Sequence, residues 1–190
     1  MGDPLRILYD PVSYYRPWRQ RGDALPAVQR SLLNRHLIDH HQLAPPPPGW
    51  ASGAHSVLVQ RLLQSWADLP AVAYLMACAQ FRRGVLARPD LMSLPPAVHA
   101  MLRLRHSDAT ATGALDAHCD AALLAWGGAA LQQLAPRLPA WLGTRMVLLF
   151  HGLPAPAGAL LPDACFDFPC FRSALIHAAY DTQLRHRVCR

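Results

Sequence analysis

The chain has 190 residues, 52% of them hydrophobic and 16% charged, a balance that provides a buried core and excludes disorder over most of the length. All 18 basic residues are Arg and all 12 acidic residues are Asp, giving a net charge of +6 with no Lys or Glu; this reads as a coding bias, although its sign favours an acidic partner. The five cysteines, at positions 78, 119, 165, 170 and 189, are odd in number and lack framework spacing, which points to reduced thiols in a cytosolic protein rather than a disulfide scaffold.

The opening "MGDPLRILYDP" has an early Asp and no apolar core of secretory type, so no signal peptide is expected. Arg6 stands where a myristoylation motif needs Ser or Thr. The apolar runs Leu69–Phe81 and Met146–Leu161 are short or broken by Pro154 and Pro156, so neither is expected to span a bilayer. One domain over 1–190 is expected, mainly α, with an irregular helical fold.

Residues 1–22 read as an extended arm, because "LRILYDPVSYYRPWRQRG" alternates apolar and polar residues and then meets two prolines. Asp23 can cap a helix to about Leu43, with Pro26 in its first turn. "APPPPGW" over 44–50 forces a Pro-rich linker. A helix over Ala54–Ala67 carries the stripe Val57, Leu58, Arg61, Leu62 and Ser65. The next, Pro70–Leu86, is capped by Asp68 and carries Val72, Leu75, Met76 and Ala79. After the break "ARPDLMSLPP", Ser93 starts a helix to about His106 and Thr112 a longer one to Leu134. Gly127 and Gly128 within it indicate close packing or a kink. Thr144–Pro154 reads as a buried strand or a short helix, and the strand is preferred, with Met146–Phe150 pairing with the arm. Asp167 and Pro169 open a last helix to the C-terminus.

The most reactive-looking stretch is "SLLNRHLIDHHQL", Ser31–Leu43. His36 and His40 lie four apart, the spacing of a two-His zinc pair on a helix, with His41 beside them. The accompanying carboxylate, Asp39, is one methylene shorter than the Glu of a zincin, and no motif supplies a third ligand. A small metal-dependent hydrolase using His36 and His40 is therefore the alternative reading. The bland reading has Leu32, Leu33, Leu37 and Ile38 facing the core and the polar residues facing water. Cys165, Cys170, His177 and Cys189 form an incomplete zinc set. Cys119 adjoins His118, but neighbours on a helix point apart and cannot make a nucleophile–base pair. No nucleophile elbow, Walker loop or dinucleotide glycine pattern occurs. The Arg groups are spread over several elements without an aromatic nucleic-acid motif, so no nucleic-acid partner is expected.

Three stretches carry a family likeness in order: "YDPVSYYRPW" in the arm, "AQFRRGVLARPDLMSL" at a central helix end, and "LLAWGGAALQQLAPRLPAWLGTRMVLLFHGLP" late in the chain. Together they resemble the K subunit of the type III secretion sorting platform, the SctK family that includes the Yersinia and Pseudomonas K proteins. The "PPPP" linker and the histidines after the first helix depart from that pattern. The resemblance implies a cytoplasmic adaptor, peripheral at the inner membrane through the injectisome, with no enzymatic activity, metal or cofactor. Its implied partners are the forkhead-associated-like domain of the SctD-type ring protein and the SctQ-type pod protein, with the SctL stator and SctN ATPase reached indirectly. Paired Arg at the end of the central helix marks Arg82, Arg83 and Arg88 as partner-binding candidates. In the arm the candidates are Tyr14 and Trp18.

Overall fold

The computed structural model describes residues 3–50, 55–104, 116–154 and 166–188. Among these the regular elements are helical and no strand occurs, so the chain is mainly α. In chain order the helices are α1 (Pro4–Tyr9), α2 (Arg16–Gly22), α3 (Ala27–His40), α4 (Val57–Gln64), α5 (Leu69–Gln80) and α6 (Arg82–Leu86). There follow α7 (Pro96–Arg103), α8 (Asp120–Gln132), α9 (Ala140–Leu149), α10 (Phe168–Tyr180) and α11 (Thr182–Val188). The contacts group into two compact units, Met1–Ala67 with Leu134–Gly152, and Asp68–Gln133 with Leu153–Arg190.

In the first unit the expected extended arm is instead helical. Its prolines start helices rather than preventing them: Pro4 follows Asp3, whose side chain accepts from the Leu5 amide at 2.9 Å, and Pro17 lies in the first turn of α2. A proline there loses only an amide that no helix would have used. Ile7, Leu8, Val12, Tyr14 and Tyr15 are buried. Pro26 rather than Asp23 occupies the cap position of α3. That helix ends where Gln42 takes a left-handed backbone, φ 49°. The face of α3 that turns inward carries Asn34 and Leu37, not the expected Leu32, which is 65% exposed. Asn34 is drawn in by polar bonding: its Oδ1 accepts from the Val12 amide at 3.0 Å and its Nδ2 donates to Asp10 at 2.9 Å. Residues 44–50 contain no helix, as four prolines require. Ser56 caps α4, whose inner face is Val59, Leu62 and Leu63 rather than a stripe beginning at Val57.

The expected strand at Met146–Phe150 is the body of helix α9. A short apolar run without interleaved polar residues shows no periodicity to separate helix from strand, and only Val147 of Met146–Phe150 is exposed. Two side chains favour the helix by reaching back one turn: Thr144 Oγ1 donates to the Ala140 carbonyl at 3.1 Å, and Arg145 Nη1 to the Trp141 carbonyl at 2.7 Å. Arg145 is 2% exposed and also donates to the Ala44 carbonyl at 2.7 Å and the Leu8 carbonyl at 2.8 Å. One guanidinium thus fastens α9 to the end of α1 and to the start of the Pro-rich linker. Burial holds its pKa below the ordinary arginine value, countered in part by Tyr14 and Tyr9.

In the second unit α5 is the central post. Every residue from Leu69 to Cys78 is buried, and the helix packs most broadly on α8, then on α10 and α7. The contact with α8 requires Gly127, because a Cβ there would collide with the Ala73 carbonyl. The expected helix Pro70–Leu86 is split at Phe81, whose ring is buried and meets Trp126 edge-on at 5.2 Å. Phe81 takes a non-helical backbone between the two helices, closing α5 and preceding α6. α7 begins at Pro96, not Ser93, and ends at Arg103 with Leu104 already extended, short of the expected His106. α8 begins at Asp120 after the non-helical residues 116–119, so the helix expected from Thr112, itself outside the described residues, does not run unbroken to Leu134. Asp167 caps α10, accepting from the Cys170 amide at 2.8 Å. The expected continuous last helix breaks at Asp181, whose Oδ1 accepts from the Leu184 amide and whose Oδ2 accepts from the Ala97 amide, both at 2.9 Å.

Candidate interaction surfaces

The five partner-binding candidates take up different environments. Arg82 and Arg83 are exposed in the first turn of α6, with Phe81 and Val85 buried beneath them. Neither has an ion-pair partner among the described residues. They follow the carbonyl end of α5, where a helix dipole favours cations.

Arg88 does not share that surface. Its side chain is 4% exposed and fully occupied: Nε and Nη2 bond Asp90 at 2.8 and 2.9 Å, while Nη1 bonds Asp120 at 2.8 Å and the Ala117 carbonyl at 3.2 Å. Arg187 closes the group, with Nε 2.6 Å from Asp120 and Nη2 3.0 Å from Asp90, and Tyr74 donates its hydroxyl to Asp120 at 2.8 Å. The hydrogen bond from Arg88 holds the Asp90 carboxyl far below the usual range. Burial would raise Asp120, but bonds from Arg187, Arg88 and Tyr74 outweigh it and bring the carboxyl below its ordinary value. Two guanidinium groups and two carboxylates therefore neutralise one another, and Arg88 is committed to holding α11 and the end of α6 in place.

In the first unit Tyr14 is likewise committed. It is 5% exposed, donates its hydroxyl to the Ile7 carbonyl at 3.1 Å and meets Trp66 edge-on at 5.6 Å. Burial drives its hydroxyl pKa well above the ordinary value. Trp18 is half-buried on α2, leaving part of the indole available.

His36 and His40 are exposed on α3, stacked at 5.6 Å between ring centres. The row continues through His41 at 4.9 Å from His40 and His151 at 5.1 Å from His41, with Tyr15 at 5.3 Å from His41 and 5.6 Å from His151. His151 has no signal in the sequence, because it joins the row only through the packing of α9. Asp39 lies on the flank of α3 three residues after His36, and its exposed carboxylate is 4.0 Å from Arg35. No group of three or more His, Cys, Asp or Glu among the described residues is arranged to hold a metal ion. The hydrolase reading of His36 and His40 gains no support.

Of the incomplete zinc set, Cys170 is buried and its thiol pushed up to about 12 by burial, while Cys165 and Cys189 lie outside the described residues. Cys78 is also buried and raised to about 12 for the same reason, the behaviour of a packing thiol rather than a nucleophile. An open groove of about 680 Å³ runs beside Pro45–Pro48, lined also by Trp50, His55, Pro139 and Trp141. It contains no acidic or Arg side chain, and the indoles of Trp50 and Trp141 stand 5.5 Å apart. No helix among the described residues is long and apolar enough to cross a membrane.

No solved structure matches the chain. The oxygen-regulated invasion protein OrgA from three strains of Salmonella typhimurium is 31% identical over 150 residues, covering 76% of this chain and 72% of that protein. Residues 4–180 match the family model described as bacterial type III secretion apparatus protein, OrgA_MxiK. That match takes in both units from α1 to the end of α10, and on its strength the chain belongs to the OrgA_MxiK family of bacterial type III secretion apparatus proteins.

Proposed function

We propose that the protein is a cytoplasmic adaptor of the injectisome, a non-enzymatic link between the cytoplasmic domain of the SctD-type ring protein and the SctQ-type pod protein. The SctL stator and SctN ATPase are reached through the pod, and the protein is held at the inner membrane by these contacts alone. The observation that carries this reading is family membership over residues 4–180. It is supported by side chains that are spent on internal packing and ion pairs rather than gathered around a substrate. Among the partner-binding candidates, Arg82, Arg83 and Trp18 present free surface, whereas Arg88 and Tyr14 serve the fold.

The test is a pull-down of the purified full chain against the cytoplasmic domain of the ring protein and, separately, the SctQ-type protein. Retention of both supports the bridge. Retention of neither, with each partner folded, overturns it; retention of one alone reduces the protein to a subunit of that partner.

A further inference from the structure

We propose that Tyr15, His36, His40, His41 and His151 form a proton-operated joint, which holds the end of α3 against the turn after α9 at neutral pH and loosens it as the imidazoles gain charge. The geometry that carries this is the row of ring contacts from 4.9 to 5.6 Å, which brings four imidazoles and one phenol together from three chain segments. Neutral rings at such distances pack favourably, while imidazolium rings repel. Tyr15 Oη also lies 3.5 Å from His151 Nδ1, a contact whose donor and acceptor follow the ring's tautomer.

The opposing influences are few. His40 and His41 stand at the C-terminus of α3, where the helix dipole favours a cation. Asp39, the nearest carboxylate in sequence, flanks the row three residues after His36, with its exposed carboxylate 4.0 Å from Arg35. The groups whose charge acts on His41 are His151, His40 and His36, all of one sign on protonation. Burial first, and these three neighbours after it, hold His41 below its ordinary value. A histidine so depressed takes up its proton more readily in the unfolded chain, so the stability it supports is complete above about pH 6.5 and falls as pH drops toward the folded value.

The joint has something to release. Immediately after His41 the chain turns through Gln42 at φ 49°, buries Leu43, and is fastened to α9 through Ala44, whose amide donates to Thr144 Oγ1 at 3.3 Å and whose carbonyl accepts from Arg145. Loosening the histidine row therefore acts on the anchored start of the Pro-rich linker.

The test uses the full chain. Imidazole resonances are followed by NMR from pH 8 to 5, alongside amide exchange at Leu43 and Ala44 and melting temperature, for the parent and for His41→Gln and His151→Gln. The joint requires His41 to titrate below about 6.5, its midpoint to rise in His151→Gln, and exchange at Leu43 and Ala44 to speed up as the row protonates. The parent should also lose more melting temperature than His41→Gln between about pH 7.5 and 5.5. A His41 midpoint at or above 6.5 in the parent overturns the proposal even if neither variant folds. So does a parallel loss of melting temperature in parent and variants. A profile that shifts on adding a chelator would also overturn it, since the row would then be holding a metal.

Discussion

Asp10 and Arg30, twenty residues apart, meet in a two-pronged ion pair, with Nε 3.0 Å from Oδ1 and Nη2 2.7 Å from Oδ2. Asn34 adds a third bond to the same carboxylate, so the end of α1 is held to the inner face of α3 by one acidic side chain. Burial would raise the Asp10 carboxyl, but bonds from Arg30 and Asn34 outweigh it and hold it below its ordinary value.

Asp10→Ala should therefore destabilise the protein by about 1–3 kcal/mol, read as a lower denaturant midpoint at unchanged slope. Because the folded carboxyl is the stronger acid, its support is present above about pH 3.8 and lost as pH falls through the folded value. The gap between parent and Asp10→Ala should narrow in that acid range, and a gap independent of pH would contradict the assignment.

Removing residues 1–18 should lower the melting temperature sharply or leave the protein insoluble. Ile7, Leu8, Val12, Tyr14 and Tyr15 are buried, and a large apolar side chain stabilises by roughly 1.5–3 kcal/mol when removed from water. The deletion also takes away the Leu8 carbonyl that Arg145 uses. A truncated protein that melts with the parent would make this segment a tail rather than part of the core.

Gly127→Ala should be destabilising although alanine is the better helix former. The gain in helix propensity is about 1 kcal/mol, and it is opposed by a Cβ placed against the Ala73 carbonyl, where backbone must move. Overpacking of that kind typically costs about 1–3 kcal/mol. Thermal melts of the single variant decide the sign.

Changing Arg82 and Arg83 together to Ala should leave the fold intact, since neither is paired among the described residues. Affinity for an acidic surface on the ring or pod protein should fall by no more than about thirtyfold, because two exposed charge pairs contribute under about 1 kcal/mol each. The loss should shrink as salt is raised. Equal binding by parent and double variant at low salt would remove these residues from the interface.

The helical class was legible from stripes such as Leu75–Met76–Ala79 and from the Asp167–Pro169 start of α10, both of which are local signals. Gly127 was legible as a site of close packing or a kink, because glycine inside a helix costs stability, and the Ala73 carbonyl against it shows the close packing. The arm was misread because proline disfavours helix interiors yet suits first turns, and only tertiary packing decides which applies. Arg145 could not be anticipated at all: two of its acceptors are carbonyls about a hundred residues away or more, which carry no side-chain signature. Arg88 looked like surface for a related reason, since its carboxylate at Asp120 is brought close only by folding.

Asp181 is the single residue between α10 and α11, and its two carboxylate oxygens engage two different segments. The register of the chain at that point is therefore counted residue by residue. One residue inserted after Asp181 would turn α11 by about 100°, carrying Arg187 away from Asp90 and Asp120 and rotating Leu184 out of the core. Length at this junction therefore sets, in one step, both the burial of Leu184 and the reach of Arg187 to its two carboxylates.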